Sequence, residues 1–394
     1  MKILTIKIKN YRVFENIEIK NIPAFFVIVG ANGTGKSTLF DIFGFLHDAL
    51  KNNIREALRK RGGFNEVITR GKEQEDIEIE LQFRMEIQGN ERLVTYILII
   101  GQEKKRPLIK REILRYKRGS KGQPYHFLDF KKGKGTAITN EEKFDQPDTE
   151  LKREEQELES SDILAIKGLG QFQRFKAASA FRSLIENWHV SDFHISEARG
   201  IKDALYAEHL SPKGDNMAVV AQYIYEEHPE IFEEILQRMR ERVPGISKVE
   251  AKNTEDGRLI LKFQDQAFKD PFIDRYVSDG TMKMFAYLIL LFDPKPHPLL
   301  CVEEPENQLY PSLLHELAEE FASYAHRGGQ VFVSTHSPDF LNAVPLESIF
   351  WLTKKHGITK FSRAEDDPTL VNLVKAGDLP GYLWSQGWFQ GVAP

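Results

Sequence analysis

The sequence predicts an α/β fold with a mixed central sheet, an antiparallel β-meander lobe and a helical lobe. A continuous apolar run at residues 25–29 enters a glycine-rich loop, and a segment with apolar residues at helical spacing leaves it. Residues 76–130 alternate apolar and polar side chains, which is typical of antiparallel strands. Residues 277–352 return to alternating strands and helices, the pattern of a parallel sheet.

Composition limits the class of protein. The chain has 394 residues, enough for one large domain or two ordinary ones, and is 41% hydrophobic and 28% charged, as in a soluble globular protein. The N-terminus alternates like a strand rather than a signal peptide, and no apolar run is long enough to span a bilayer. The single cysteine, Cys301, excludes an intrachain disulfide and fits a cytoplasmic location. The net charge of −4 gives no global argument for a nucleic-acid partner.

The chain divides into four predicted regions. Residues 1–140 form an N-terminal lobe that contains the glycine-rich loop and the meander, and residues 141–276 form a helical insert lobe. Residues 277–360 form the C-terminal half of the α/β core. Residues 361–394 form a tail that is polar at first and then aromatic.

Local patterns within these regions give further expectations. A long helix after the glycine-rich loop should end near residues 59–63, where a basic stretch meets two glycines. Residues 141–162 have helical character, and residues 215–242 carry one or two helices interrupted by a proline. Residues 249–263 have the pattern of a β-hairpin.

The glycine-rich loop carries a phosphate-binding motif. Residues 30–37, Gly-Ala-Asn-Gly-Thr-Gly-Lys-Ser, match the pattern G-x-x-x-x-G-K-[ST]. Its glycines let backbone N–H groups turn toward phosphates, Lys36 reaches the β- and γ-phosphates, and the Ser37 hydroxyl ligates Mg²⁺. The N-terminus of the following helix also favours anions. We therefore expect a nucleoside triphosphate and Mg²⁺ to contact Gly30, Asn32, Gly33, Thr34, Gly35, Lys36, Ser37 and Thr38.

Two acidic residues end a later apolar strand. Residues 299–302 are apolar, and Glu303 and Glu304 follow them at the carboxyl end, where open α/β sheets bind ligands. We expect Glu303 to hold the metal through water and Glu304 to orient or deprotonate the attacking water. An acidic strand-to-loop turn without catalytic function is the alternative for this segment taken alone.

Two further segments have positions that suggest a role in the same site. His336 follows the next strand, at residues 330–335, in the order expected for a γ-phosphate contact, although a lone histidine is more often structural. Ser278 is a good N-cap for the helix that follows, and Gly280 allows close backbone approach. A simple capped helix is the alternative for Ser278, Asp279 and Gly280.

These motifs together resemble the ABC-type ATPase heads of the SMC, RecF and OLD proteins, and most of all the compact bacterial predicted ATPases of the AAA-21 type. The segment from Ile6 to Phe14 is similar to the family's N-terminal strand and N-[FY]-R-x-F turn. Residues 30–37 resemble its Walker A loop, and residues 278–281 its signature motif. Residues 303–307 resemble its Walker B motif and D-loop, and residues 334–338 its histidine switch.

Two departures from the family pattern stand out. Glu303 lies where transporter-type ATPases usually carry aspartate, although an E-E-P form is usual in the RecF-like and AAA-21-like branch. The Q-loop glutamine has no clear counterpart, and Gln171 and Gln173 are the candidates.

The resemblance implies a P-loop ATPase that works as a homodimer, or in a higher oligomer, around ATP and Mg²⁺. One protomer would supply the phosphate loop with catalytic Lys36, Glu304 and His336. The other would cap the γ-phosphate through Ser278, Asp279 and Gly280 of its signature motif. Arg12 would contact nucleotide from the N-terminal turn, with an ordinary surface arginine as the alternative.

A charge pattern in the meander suggests a nucleic-acid partner. Residues 102–135 hold twelve Lys or Arg and three acids, with Tyr116, Tyr125, Phe127 and Phe130 interleaved. This surface could track a DNA backbone. Residues 141–162 follow with ten acids and three bases, so the two runs could instead neutralise each other.

The combined expectation is an ATP-switched ATPase in a DNA-related complex, for repair or antiphage defence, with a separate nuclease or effector. One alternative is the energising subunit of a membrane transporter, but the interval from Lys36 to Glu303 is far longer than such subunits use. A second alternative is a non-hydrolysing ATP-gated scaffold, which the presence of both Glu303 and Glu304 disfavours.

Overall fold

The fold is mixed α/β, as the sequence predicts. The structure is a computed structural model that describes residues 2–87, 89–116, 125–141, 150–191, 193, 195–203, 206–355 and 357–389. The strands are β1 (Lys2–Tyr11), β2 (Phe14–Ile19), β3 (Phe25–Gly30), β4 (Ile77–Ile87), β5 (Asn90–Glu103), β6 (Arg106–Tyr116), β7 (Tyr125–Lys131), β8 (Lys134–Ile138), β9 (Arg153–Glu157), β10 (His189–Ser191), β11 (Lys202–Asp203), β12 (Ile246–Asn253), β13 (Arg258–Asp265), β14 (Phe272–Ile273), β15 (Leu300–Glu303), β16 (Val331–Ser334), β17 (Ile349–Lys355) and β18 (Ile358–Arg363).

The helices surround these strands. They are α1 (Lys36–Lys51), α2 (Ile54–Arg59), α3 (Phe64–Val67), α4 (Ala165–Leu169), α5 (Lys176–Glu186), α6 (Ile195–Ala198), α7 (Met217–Glu227), α8 (Pro229–Arg242), α9 (Asp279–Leu291), α10 (Pro311–His326), α11 (Pro338–Asn342), α12 (Pro368–Lys375) and α13 (Pro380–Ser385). The expected interruption at a proline separates α7 from α8.

The predicted meander forms one antiparallel sheet with the N-terminal strands. Its order is β2-β1-β4-β5-β6-β7-β8-β9. One face is apolar because alternate residues point the same way along each strand, as Ile77, Ile79, Leu81 and Phe83 do in β4. This face packs with α1, α4 and α5 in a hydrophobic core.

The second sheet carries the glycine-rich loop. Its order is β10-β15-β16-β3-β17-β18, with parallel pairing from β10 to β17 and an antiparallel β17–β18 pair. Every residue of β3 is buried, as expected for a strand that is covered on both faces. Because β15, β16 and β3 are parallel neighbours, their carboxyl ends meet at one edge of the sheet.

A third, smaller sheet packs with the helical part of the chain. The predicted hairpin is β12–β13, flanked by β11 and β14. Helices α7 and α8 pack against β12, and α9 packs against both helices. Residues 281–291 of α9 are all buried, so this helix connects the small sheet to the central one.

Two local predictions were wrong. The helix after the glycine-rich loop ends at Lys51, and α2 begins at Ile54 because the Asn53 side chain caps it by accepting from Glu56 N at 2.9 Å. Residues 153–157, expected to be helical, form β9, which pairs with β8 at the sheet edge. Pairing with β8 satisfies the backbone hydrogen bonds of these residues. This gain outweighs their local preference for a helix. Residues 142–149 of that charged run lie outside the described residues.

The segment after residue 361 has both strand and helical structure. It completes β18 and forms α12 and α13, and Leu383, Trp384 and Phe389 are buried in the core of the central sheet. The division into four regions stays a prediction. In the part of the chain that the structure describes, no helix combines the length and apolar character needed to cross a membrane.

Candidate functional site

Backbone shape explains why the loop between β3 and α1 needs glycine. Gly33 and Gly35 have φ of +76° and +112°, values that other residues rarely adopt. A Cβ on Gly35 would also lie 2.7 Å from Val13 Cγ2 and 2.8 Å from Phe14 Cε1. The β1–β2 turn therefore supports the loop from outside, and any larger residue at position 35 would displace it.

Lys36 lies at the start of α1 with its side chain folded into the loop. Its Nζ donates to Gly30 O at 2.7 Å and Ala31 O at 3.4 Å, and only 6% of the residue is exposed. Burial lowers the pKa of Lys36, while the carboxylates of Glu304, Glu306 and Glu303 act in the opposite direction. Backbone carbonyls thus hold the ammonium group where it can donate to a phosphate instead.

The remaining loop residues differ in exposure and support. Asn32 and Ser37 are exposed, whereas Thr38 is buried. Thr34 Oγ1 donates to Ala31 O at 2.8 Å, and Thr34 O accepts from Thr359 Oγ1 at 2.8 Å.

The β17–β18 hairpin is a support that the sequence did not reveal. Besides the contact from Thr359 in β18, Lys354 Nζ of β17 donates to Gly33 O at 3.2 Å. Both residues are distant from the loop in sequence, and no motif marks them.

The acidic pair follows β15 at the carboxyl edge of the central sheet. Glu303 lies in register with Ser334 of β16, and Glu304 N donates to Ser334 O at 2.9 Å. Glu304 has a φ of +44°, a conformation that costs about 1 kcal/mol or more for a non-glycine residue. Asn307 Nδ2 donates to Glu304 Oε2 at 3.1 Å, so the D-loop segment helps to orient this carboxylate.

His336 lies next to Glu304 and is held by Glu306. His336 Nε2 is 3.5 Å from Glu304 Oε1. Glu306 Oε1 accepts from His336 N at 2.6 Å and from Thr335 Oγ1 at 2.9 Å. Burial and then the charge of Lys36 lower the pKa of His336, against the opposing effect of Glu304 and Glu306. The net shift favours the neutral form of the ring.

The donor set fits a magnesium–triphosphate complex. Three buried polar atoms near this edge have no hydrogen-bond partner among the described residues, namely Ser334 Oγ, Glu306 Oε2 and His336 Nε2. The Ser37 hydroxyl and the Glu303 carboxylate are hard oxygen ligands of the kind that Mg²⁺ prefers. The loop supplies one ammonium group and an N-terminal helix end for phosphate.

The signature segment begins α9. Ser278 Oγ accepts from Thr281 N at 3.1 Å, so Ser278 is the N-cap that the sequence indicated. Arg199 pairs with Asp279 at 2.5 Å and donates to Val277 O at 2.7 Å. This arginine holds the start of the helix and partly neutralises Asp279, a role with no signal in the sequence.

The structure does not bring the signature segment to the glycine-rich loop of its own chain. Residues 278–281 line a surface cavity of about 860 Å³ together with residues 308–313 and 241–244. No residue of the glycine-rich loop lines this cavity. The segment is nevertheless linked to the loop that follows Glu304, because Lys283 Nζ of α9 donates to Asn307 O at 2.6 Å.

Arg12 has a structural role in the fold. It lies in the β1–β2 turn, where its N–H donates to Val67 O at 2.6 Å. Its guanidinium pairs at 3.1 Å with Asp41 of α1, which also pairs with Arg61 at 2.7 Å. Contact with nucleotide stays a prediction for Arg12.

Comparison with known proteins gives a family and a fold. The family model described as "AAA domain, putative AbiEii toxin, Type IV TA system" matches residues 25–342, well over half of the chain. No curated protein sequence matches.

Two solved structures are similar throughout the chain. One is an Smc head bound to the C-terminal winged-helix domain of ScpA, with a TM-score of 0.57, 16% identity, and coverage of 92% of this chain and 97% of that one. The other is an Smc head with an extended coiled coil bound to the C-terminal domain of ScpA from Pyrococcus furiosus, with a TM-score of 0.52, 12% identity, and coverage of 95% and 99%. At such low identity these matches show the fold, that of a P-loop NTPase of the SMC-head type.

Proposed function

Because this chain belongs to the AAA-21 family of AAA-domain proteins, we propose that it binds ATP with Mg²⁺ at residues 30–37 and hydrolyses the bond to the γ-phosphate. The observation that carries the proposal is the meeting of Lys36, Glu304 and His336 at one edge of the central sheet, where His336 Nε2 lies 3.5 Å from Glu304 Oε1. The motif that supplies Lys36 lies more than 250 residues in sequence from those that supply Glu304 and His336.

Each of the three side chains has a chemical role in this proposal. Lys36 exchanges the carbonyls of Gly30 and Ala31 for phosphate oxygens. Glu304 accepts the proton of the attacking water, and neutral His336 contacts the γ-phosphate from the adjacent strand. When bound, Mg²⁺ would be held by Ser37 and Glu303 and would neutralise charge on the β- and γ-phosphates.

We further propose that two protomers enclose the nucleotide. The cavity that Ser278, Asp279 and Gly280 line is separate from the loop of the same chain and is open to solvent. An N-terminal helix end is an anion site, so a second copy offers this segment to the γ-phosphate of its partner. Hydrolysis then removes the γ-phosphate, which both protomers contact, and this loss weakens the interface.

Mixing two inactive variants tests both parts of this proposal. Lys36→Ala removes the phosphate-binding ammonium group but leaves the signature segment, whereas Ser278→Arg obstructs the signature segment but leaves the loop. Each variant alone should lack ATPase activity. An equal mixture should recover about a quarter of the wild-type turnover, because half of the dimers contain one complete composite site.

The alternatives give different results. If Ser278 acted on the nucleotide of its own chain, no mixed dimer would hold a complete site and the mixture would stay inactive. If each variant alone kept wild-type turnover, the assignment of the site itself would be wrong. Lys51→Ala at the other end of α1 is the matched control for Lys36→Ala.

A nucleic-acid partner is supported by two adjacent hairpin turns. Lys104 and Lys105 join β5 to β6, Lys132 lies in the turn from β7 to β8, and all three have φ of +50° to +63°. Such turns usually carry asparagine or glycine. Lysine in this conformation is strained, and strain retained on an exposed basic surface suggests a function for the surface.

Two observations limit the proposed nucleic-acid contacts of this surface to the phosphate backbone. The aromatic side chains interleaved with the basic ones are not on the surface, because Tyr116, Tyr125, Phe127 and Phe130 are all at most 2% exposed and fill the meander core. Lys132 pairs at 2.5 Å with Glu103, an acid within the basic run itself. Lys134 pairs at 2.7 Å with Glu157, so the acidic run neutralises part of the basic one. The proposal is therefore a phosphate-tracking surface without base stacking.

We propose that any cutting of nucleic acid belongs to a separate nuclease or effector chain. The carboxylates at the sheet edge are assigned to ATP hydrolysis. In the described ranges, the side chains grouped closely enough to hold a metal are His209, Asp293 and His297, which is not the carboxylate cluster of a nuclease. A transporter role or a non-hydrolysing scaffold stays the alternative, and ATP turnover stimulated by DNA would exclude both.

A further inference from the structure

We infer that His209, Asp293 and His297 form a binding site for a divalent transition-metal ion, separate from the magnesium–ATP site. One ligand atom from each residue lies within 4.8 Å of the other two. His209 precedes α7, Asp293 follows the end of α9, and His297 precedes β15. This site is not required for the proposed ATPase activity and has a different donor set.

Hydrogen bonding determines the tautomer of His297. Its Nδ1 lies 3.0 Å from the carbonyl oxygen of Asn187, which can only accept, so Nδ1 carries the proton. The neutral ring therefore presents a lone pair at Nε2. This arrangement, in which one ring nitrogen donates to a carbonyl and the other remains a ligand, is usual for metal-binding histidines.

The lone pair at Nε2 of His297 faces a carboxylate. Nε2 lies 3.8 Å from Asp293 Oδ2, has no hydrogen-bond partner among the described residues, and belongs to a residue that is 7% exposed. Two acceptors that face each other in a buried place are unfavourable without a cation or proton between them. Asp293 is also buried, at 5% exposure, so the local charge is poorly solvated.

The remaining contacts orient the other two ligands. Asp293 Oδ1 accepts from Lys295 N at 2.8 Å, which leaves Oδ2 directed toward the histidines. His209 Nδ1 lies 2.7 Å from Asp293 Oδ2. Lys295 Nζ pairs with Glu208 at 2.5 Å, so its charge is directed to another carboxylate.

The distances between the three ligand atoms are close to those around a bound ion. A tetrahedral ion with bonds of about 2.0–2.1 Å separates its ligand atoms by roughly 3.3 Å. The 2.7 Å pair would open slightly and the 3.8 Å pair would close slightly around an ion. A cavity of about 410 Å³, lined in part by His209, Lys295 and His297, gives an entry path and room for a water ligand.

Two imidazole nitrogens and one carboxylate oxygen suit Zn²⁺ and neighbouring first-row ions rather than Mg²⁺. Such an ion would fasten the loop before α7 and the end of α9 to the segment that enters β15. It would thus brace the signature helix against the strand that carries Glu303.

Zinc titration of the full chain without nucleotide tests the site. After removal of bound metal by a chelator, the wild type should bind one Zn²⁺ per chain in calorimetry and unfold at a higher temperature with the ion present. His209→Ala, on the partly exposed side of the site, should weaken binding by roughly 10–100-fold or more. His315→Ala changes an exposed histidine of α10 and should bind zinc like the wild type.

Cobalt substitution adds a readout that is independent of stability. Co²⁺ bound by the wild type should show the visible absorption of a low-coordinate nitrogen and oxygen site, and Asp293→Asn should lose it. Zinc affinity that is equal in the wild type and His209→Ala, or no zinc binding in either, would overturn the inference. Because no nucleotide is present, these outcomes are independent of the ATPase proposal.

Discussion

Glu304 Oε1 and His336 Nε2 lie 3.5 Å apart at the carboxyl edge of β15 and β16. The pairing follows from the parallel register of the two strands, in which Glu303 is level with Ser334. Glu304, one residue past this level, and His336, two residues past it, therefore lie side by side. The proposed water acceptor and the proposed γ-phosphate contact are thus adjacent in the fold.

Glu304→Gln should slow phosphate release by about 10²–10⁴-fold while ATP binding persists, because the amide cannot accept the proton of water. Single-turnover hydrolysis and calorimetric ATP binding measure the two effects separately. Glu319→Gln on the exposed side of α10 is the matched control. Turnover like that of the wild type would remove Glu304 from catalysis.

Glu306 should act by positioning His336. Glu306→Ala removes the acceptor for both His336 N and Thr335 Oγ1 and should lower kcat by roughly tenfold with little change in KM. Glu306→Gln keeps an acceptor oxygen and should recover much of that loss. Equal loss in the two variants would mean that the charge of Glu306, not its hydrogen bonding, matters.

Lys283 should make stability depend on pH in the alkaline range. Burial lowers its pKa from 10.5 to about 8, so between these values the unfolded chain holds a proton that the folded chain lacks. The free energy of unfolding contributed by this group therefore rises with pH through that window, by on the order of 2–3 kcal/mol.

Lys283→Met removes the titrating group. Urea denaturation of the wild type and the variant from about pH 8 to about pH 10 should show the difference in unfolding free energy changing steadily with pH. Lys375→Met, an exposed change in the last turn of α12, should follow the wild type. A difference that is constant with pH would contradict the assignment.

Charge reversal at the strained turn tests the nucleic-acid surface. Lys104→Glu with Lys105→Glu should weaken DNA binding uniformly across sequences and reduce the slope of log affinity against log salt by about 2. Lys60→Glu combined with Lys51→Glu makes the same change in charge outside these turns and provides a charge-matched comparison. An unchanged slope in the Lys104→Glu, Lys105→Glu variant would mean that these lysines are only solvated and do not contact DNA.

Local chemistry was enough to predict the elements of the nucleotide site. Residues 30–37 carry their function in eight contiguous positions, because the glycines, Lys36 and Ser37 each have a backbone or side-chain role within one loop. The acid pair and His336 could be predicted for a related reason, since each ends an apolar strand and parallel strands end at a common edge. The meander followed from alternation and a buried apolar run, and the β12–β13 hairpin from the turn residues at 255–257.

Tertiary structure decided what depends on contacts between distant segments. Glu306 beneath His336, Lys283 on the D-loop, and Thr359 against the glycine-rich loop have no local pattern, because a single hydrogen bond leaves no periodicity in a sequence. Residues 153–157 became a strand because β8 offered an open edge.

The sequence by itself was enough to predict a P-loop ATPase fold and the residues that should face the phosphates, because that chemistry is local. Only the folded chain decided that the signature segment lies in a cavity apart from its own loop, and that two histidines and an aspartate from three separate segments meet. The physical reason is that side-chain packing, rather than local propensity, sets which distant segments touch.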